Sequence, residues 1–169
     1  MTSRIRAPGA AATPLVVLAL CCSLGAPAAA RADDSTAYPE GAASFHDNCA
    51  VCHGAVGSGV PGLAPPLLSY PAHYAASAEG RRQLAITVLY GMIGDVVVEG
   101  KHFNFQMPEF SRLDDATLAA TLNYVVFDLD HAGSAVKPLS TSDITAERAH
   151  ALDGAAVREH RKSVAPTEP

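Results

Sequence analysis

What this sequence is short of narrows its chemistry before any motif is considered. Cysteine occurs four times, and no second cysteine or histidine pair with metal-ligand spacing accompanies the one Cys-x-x-Cys it forms. A closed zinc site needs four protein ligands, so that reading lacks half its donors. Glycines crowd the stretch from Gly54 to Gly62, but no Gly-Lys-Ser/Thr follows and no strand-like run precedes them, which argues against a phosphate cradle. No serine, cysteine or threonine stands in a pattern that pairs a nucleophile with its base, so an enzyme in its own right is not indicated. Positive charge is scarce as well. With the first 32 residues set aside, nine Lys and Arg face 17 Asp and Glu, a formal charge of −8, and nucleic acid is a poor partner for such a surface.

An apolar run of membrane-spanning length is also missing. Leu15 to Leu20 and its neighbours are apolar, but the run is short and broken by Pro27, so it spans a bilayer poorly. Arg4 and Arg6 precede it, and Ala26-Pro27-Ala28-Ala29-Ala30-Arg31-Ala32 follows. A basic start, a short greasy centre and small residues at the end predict a secretory signal, cleaved after Ala32. The arginines are not adjacent, so a twin-arginine signal is not supported. A lipidated Cys21 or Cys22 is disfavoured by the bulky Leu20 in front of it. Both cysteines leave with the leader, and the expected product is a periplasmic chain of 137 residues, enough for one domain.

Only Cys49 and Cys52 then remain, inside Cys49-Ala50-Val51-Cys52-His53. Two thiols three positions apart with histidine next are the attachment pattern of a c-type haem. One helical turn brings both sulfurs to the same edge of the ring, each to add across one vinyl group. His53 then offers one imidazole nitrogen to iron, and its other nitrogen is free to donate the hydrogen bond that fixes its tautomer. A thioredoxin-like pair would need a strand-turn-helix setting, which is not visible.

Along the mature chain, Ala42, Phe45 and Cys49 recur at helical spacing and predict a helix from about Glu40 to Cys52. Residues 54–66 hold four glycines and three prolines and must be irregular. Ala78 to Leu89 reads as a helix, and Gly91 to Phe105, with Val96-Val97-Val98, as a hairpin or loop. Asp114 can cap a helix running to about Phe127, whose stripe of Leu118, Leu122 and Val125 should meet the Phe45 side of the first helix. The expected division is a haem domain over 33–131 and a C-terminal extension over 132–169. Within the extension, Asp143 to Leu152 and Ala155 to Arg161 are weakly helical, their apolar residues sparse, and Ser163 to Pro169 read as disordered.

The sixth iron ligand decides between electron transfer and small-ligand chemistry. Met107 is favoured, in a non-helical stretch held extended by Pro108; Met92 is the alternative thioether. His73 or His102 would instead give a bis-histidine iron of lower potential. His46, His131, His150 and His160 are expected at the surface.

These residues together resemble the class I mono-haem cytochromes c of bacteria. The resemblance rests on Phe45, Cys49 to Gly54, Gly62-Leu63-Ala64-Pro65-Pro66-Leu67, Met107-Pro108, Leu113-Asp114-Asp115 and Leu122-Asn123-Tyr124-Val125, and it covers about residues 40–127. It implies a small all-α fold of three to four core helices around one covalent haem c, with His53 and Met107 as axial ligands. It further implies that the Pro65 carbonyl accepts the second proton of His53, that Leu67 packs on the ring, and that helices cross near Phe45 and Tyr124. The stretch from Val96 to Phe105 is longer than in the shortest members, and the tail from Ser142 to Arg161 bears a faint likeness to extensions of cytochromes that serve periplasmic dehydrogenases. The function implied is one-electron transfer from a dehydrogenase or membrane complex to a terminal oxidase or reductase. An acidic surface suits a basic docking face. The alternatives are a dedicated haem subunit of a periplasmic dehydrogenase complex and a five-coordinate haem enzyme or gas sensor.

Overall fold

In the computed structural model, Thr2 and residues 36–165 are described; the expected leader and its cleavage point after Ala32 lie outside them, Thr2 apart. Helix α1 (Pro39–Asn48) starts on a proline, whose missing N–H costs nothing in a first turn, with Glu40 beside it at the positive end of the dipole. The helix expected to run on to Cys52 is interrupted. At Cys49 the chain turns, and a second short helix, α2 (Ala50–His53), carries the remaining motif residues. A further short helix, α3 (Pro71–Ala75), also begins on proline and was not anticipated. Helix α4 (Ala78–Tyr90) is capped by the Ser77 hydroxyl, which accepts from the Gly80 N–H at 3.0 Å.

The β-branched segment forms an antiparallel hairpin, β1 (Val96–Val98) with β2 (Lys101–Phe103), in the register Val96 to Phe103 and Val98 to Lys101. Its turn places Glu99 at φ 51°, a conformation that two-residue hairpin turns require. Helix α5 (Asp115–Asn123) is capped as expected, the Asp114 carboxylate accepting from the Thr117 N–H at 2.8 Å. It does not continue to Phe127 as an α-helix. From Tyr124 to Leu129 the turns widen into a π-helical segment, closed by the Asp130 N–H on the Val125 carbonyl at 3.0 Å. Helices α6 (Thr141–Arg148) and α7 (Gly154–Val164) follow, α6 opened by a Ser140/Asp143 capping box. Ser163 and Val164 are therefore helical, where disorder was expected.

Two apolar clusters hold these elements together. The larger joins Leu89 of α4, Leu118 and Leu122 of α5 and Ile144 of α6, with Phe110, Val126 and Leu139. The smaller is Phe45 with Tyr124 and Val125. The expected stripe is thus divided: Val125, in the π-helical segment, meets Phe45, and Leu118 and Leu122 of α5 join α4 and α6. At the crossing of α1 on α5 the backbones nearly touch. A Cβ on Gly41 would lie 2.1 Å from the Ala120 carbonyl oxygen, so no other residue fits there without moving a helix. The Phe45 and Tyr124 rings lie 5.4 Å apart, and this is where the resemblance had put the crossing.

The tail is packed more firmly than its sparse apolar residues suggest. Ile144 and Val157 are fully buried, each contributing about 1.5–3 kcal/mol relative to exposure. Asn123 binds both the N–H and the carbonyl of Leu139, at 2.7 and 2.9 Å. Arg148 donates to Asp115 at 2.6 Å and to the carbonyls of Ser111 and Leu113. The described residues 36–165 all belong to one compact unit.

Candidate haem-binding site

The break at Cys49 arranges the motif. The Cys49 carbonyl accepts from the N–H groups of Cys52, at 3.1 Å, and His53, at 2.9 Å, so thiols and imidazole share a single turn. Burial, helped by the neighbouring Cys52, pushes the Cys49 thiol up to about 11, against the opposing pull of Arg112. Redox-active and metal-binding thiols have the opposite bias. Among the described residues no three His, Cys, Asp or Glu side chains converge as a metal site, so neither a zinc nor a dithiol reading gains support.

His53 is buried, and its Nδ1 lies 2.9 Å from the Pro65 carbonyl oxygen. A carbonyl only accepts, so Nδ1 carries the proton and Nε2 presents a lone pair. Burial lowers the basicity of this imidazole, partly offset by the Pro65 carbonyl, which favours the neutral form that binds metals. The irregular loop supplies that carbonyl by doubling back. The Gly59 N–H reaches the His53 carbonyl at 2.7 Å, and Val60 pairs with Ala64 just before Pro65.

The thioether side is built by pairing two distant segments. Met92 and Met107 form an isolated antiparallel bridge, with N–H to carbonyl distances of 3.1 and 2.9 Å. Residues paired in this way project to the same side. Gly91 makes the approach possible. Its φ is +69°, and a Cβ there would lie 2.3 Å from the Met107 carbonyl oxygen.

Cys49, His53, Pro65, Met92, Val96 and Met107 line both lobes of one open crevice. Its other walls are largely apolar, with Leu63, Phe103 and Phe110 in one lobe and Leu67, Leu84 and Val88 in the other. The structure brings together Cys49, Cys52, His53 and Met107, and it adds Met92. Neither His73 nor His102 lines the crevice. His73 is exposed on α3, and His102, with 71% of its side chain exposed, pairs with Asp95. His46, His131 and His150 are exposed as expected. His160 is half-buried rather than fully exposed: its Nδ1 contacts the Gln83 side chain at 2.7 Å and its side chain is 15% exposed. Sequence reasoning also missed Val96 and Arg161 as lining residues. Val96 shares a strand face with Val98, a period-two signal that was available; nothing local marks Arg161.

The donors suit the group that the motif implies. Two thiols on one turn, a neutral imidazole with a free nitrogen, soft thioethers and apolar walls fit a flat hydrophobic macrocycle carrying iron. Helices folded around such a crevice define a protein that holds a single covalent haem. The cytochrome c family model matches residues 38–126, and this chain belongs to the cytochrome c family. It is 33% identical over 143 residues to a cytochrome c-552 of Thermus thermophilus, an alignment covering 83% of this chain and 91% of the relative. A second Thermus thermophilus cytochrome c-552 is 33% identical over 124 residues, 72% of this chain and 95% of that protein. The family match stops at 126, and an alignment covering 83% of the chain has to run beyond it, so part of the tail is shared with the first relative. The protein binds covalent haem c and is an electron carrier rather than a conventional enzyme. No helix among the described residues is long and apolar enough to cross a membrane.

Proposed function

We propose that this chain is an exported, periplasmic one-electron carrier in which Cys49 and Cys52 anchor the haem and His53 and Met107 are its axial ligands. Bound haem c supplies an iron that cycles between ferrous and ferric. The protein supplies the rest. Cys49 and Cys52 would hold the ring, and the Pro65 carbonyl, by engaging Nδ1, leaves the His53 Nε2 lone pair available to a metal. The apolar walls exclude water, and a thioether raises the potential by favouring reduced iron. The observation that carries the reading is the meeting of His53, with its Nδ1 committed to Pro65, and Met107 in one crevice. The leader expected over residues 1–32 supports export, and haem attachment of this kind takes place outside the cytoplasm. Donor and acceptor are a dehydrogenase or membrane complex and a terminal oxidase or reductase.

The reading as a dedicated subunit needs residues 132–169 as a binding arm. Instead Ile144 and Val157 are buried within the chain's own unit, so this extension is better read as part of the haem domain. A five-coordinate iron fits poorly with two thioethers in the crevice.

The test is the visible spectrum and potential of the haem-loaded protein. Met107→Ala should abolish the weak long-wavelength charge-transfer band of thioether-bound ferric iron and lower the potential, with Met92→Ala retaining both. The reverse pattern would assign the iron to Met92, and prompt carbon monoxide binding by the wild type at neutral pH would overturn six-coordination.

A further inference from the structure

The crevice is almost wholly apolar, yet haem is not. Its vinyl groups lie along one edge, and two propionate carboxylates lie along the other. On the reading above, Cys49 and Cys52 fix the vinyl edge, so the carboxylates are carried to the far end of the cavity. A carboxylate taken into such surroundings without a cation is costly.

Cys52 lines only the first lobe and Arg161 only the second. Among the described residues Arg161 is the one Lys or Arg side chain lining either lobe, and no Asp or Glu lines them. Around it are Tyr70, Tyr74, Gln83 and Thr87, the polar end of the cavity. Among the described residues Arg161 also has no ion pair, whereas its neighbours Arg158 and Lys162 both pair with Glu159, at 3.1 and 2.8 Å. Among the described residues its guanidinium makes one long hydrogen bond, 3.4 Å to the Val97 carbonyl, and lies 6.0 Å from the centre of the Tyr74 ring. Toward the described residues, most of its five donors are unspent.

Helix α7 is anchored so as to keep Arg161 there. The Gly154 carbonyl accepts from the Ile93 N–H at 3.1 Å, next to Met92. One turn on, Val157 is fully buried. His160 then meets Gln83, and because the Gln83 amide nitrogen already donates to Thr87 at 2.8 Å, its oxygen accepts and His160 Nδ1 donates.

We infer that Arg161, reaching into the crevice from the C-terminal helix, binds a haem propionate, making the tail part of the haem site. A planar guanidinium suits a carboxylate through two parallel N–H donors, which a lysine cannot reproduce. The inference rests on haem being held by Cys49 and Cys52.

The test uses the full-length, haem-loaded protein and follows reduction potential against pH. An inflection in that curve reports ionisation of a group close to the iron. The charged and titratable groups at this end are Arg158, Glu159, His160 and Lys162 on α7, Glu79 on α4, 3.5 Å from His160, Tyr70 just before α3 and Tyr74 within it. The comparison is therefore made in a His160→Gln background, where the imidazole does not contribute. Arg161→Gln should move the propionate inflection to higher pH by about one unit or more and lower the potential. Arg161→Lys, which keeps the charge and loses the fork, should give a smaller shift. Lys162→Gln, which removes a charge from the solvent side of the same helix, should give none. A haem-loaded Arg161→Gln protein whose potential follows its parent's pH curve overturns the inference alone. A wild-type chain exported under maturation conditions without covalent haem overturns the proposed function and this inference together.

Discussion

Two parts of the crevice are assembled by different means. Cys49, Cys52 and His53 fall within one turn and owe their positions to local hydrogen bonds around Cys49 and to the Pro65 carbonyl. Met92 and Met107 come from separate segments, joined by one pair of backbone hydrogen bonds and dependent on the close approach at Gly91. The first part is written in consecutive residues; the second exists only once the chain has folded. Local structure opens at low cost only where few contacts support it, so the methionine side should be the one that perturbation loosens first.

The largest effect separates the two outright. Replacing both Cys49 and Cys52 by Ala should eliminate covalent haem, seen as complete loss of haem staining on a denaturing gel. Replacing both Met92 and Met107 by Ala should leave that staining intact while the spectrum changes. Next comes Ile144→Ala, which empties a fully buried site between the tail and the core. A loss of about 3 kcal/mol is expected, read in denaturant, with one cooperative transition if tail and core unfold together. Gly91→Ala should cost about 2 kcal/mol through its positive φ and the crowding of the Met107 carbonyl. It should also weaken the thioether band, which a comparably destabilising Gly41→Ala should not.

The smallest effect is electrostatic. The Thr145 hydroxyl, and then the Arg148 guanidinium, hold the Asp115 carboxyl below its ordinary value of 3.8 despite partial burial. A depressed carboxylate stabilises the fold above the unfolded-state value, and that contribution disappears as pH falls through the folded one. The melting temperature should therefore drop below about pH 4, and Asp115→Asn should flatten that drop.

The same contrast explains what could be read beforehand. Cys49 to His53, the Asp114 cap, the turn-rich loop before Pro65 and the hairpin all follow from chemistry within a few residues, and all stand where the sequence placed them. The break at Cys49 and the widening after Tyr124 have no signature in hydrophobic periodicity, and the one local signal for α3 is Pro71 at its first position. His160 looked like a surface histidine because its partner, Gln83, is 77 positions away. The tail looked weak because only two of its apolar side chains, Ile144 and Val157, carry its packing in α6 and α7, and Asn123 and Arg148 hold it through bonds that hydrophobic periodicity does not register. Both methionines could be named as candidates; that they are neighbours could not.

One carboxylate bears on the processing proposed for the polypeptide. Asp128 receives the Thr36 hydroxyl and the N–H groups of Ala37 and Tyr38, at 2.6, 2.9 and 3.1 Å. All three tethers lie downstream of Ala32, so a peptidase that trimmed one or two residues to either side of its expected position would leave the mooring of α1 untouched. Imprecise maturation at that end would change the mass of the product without changing its fold.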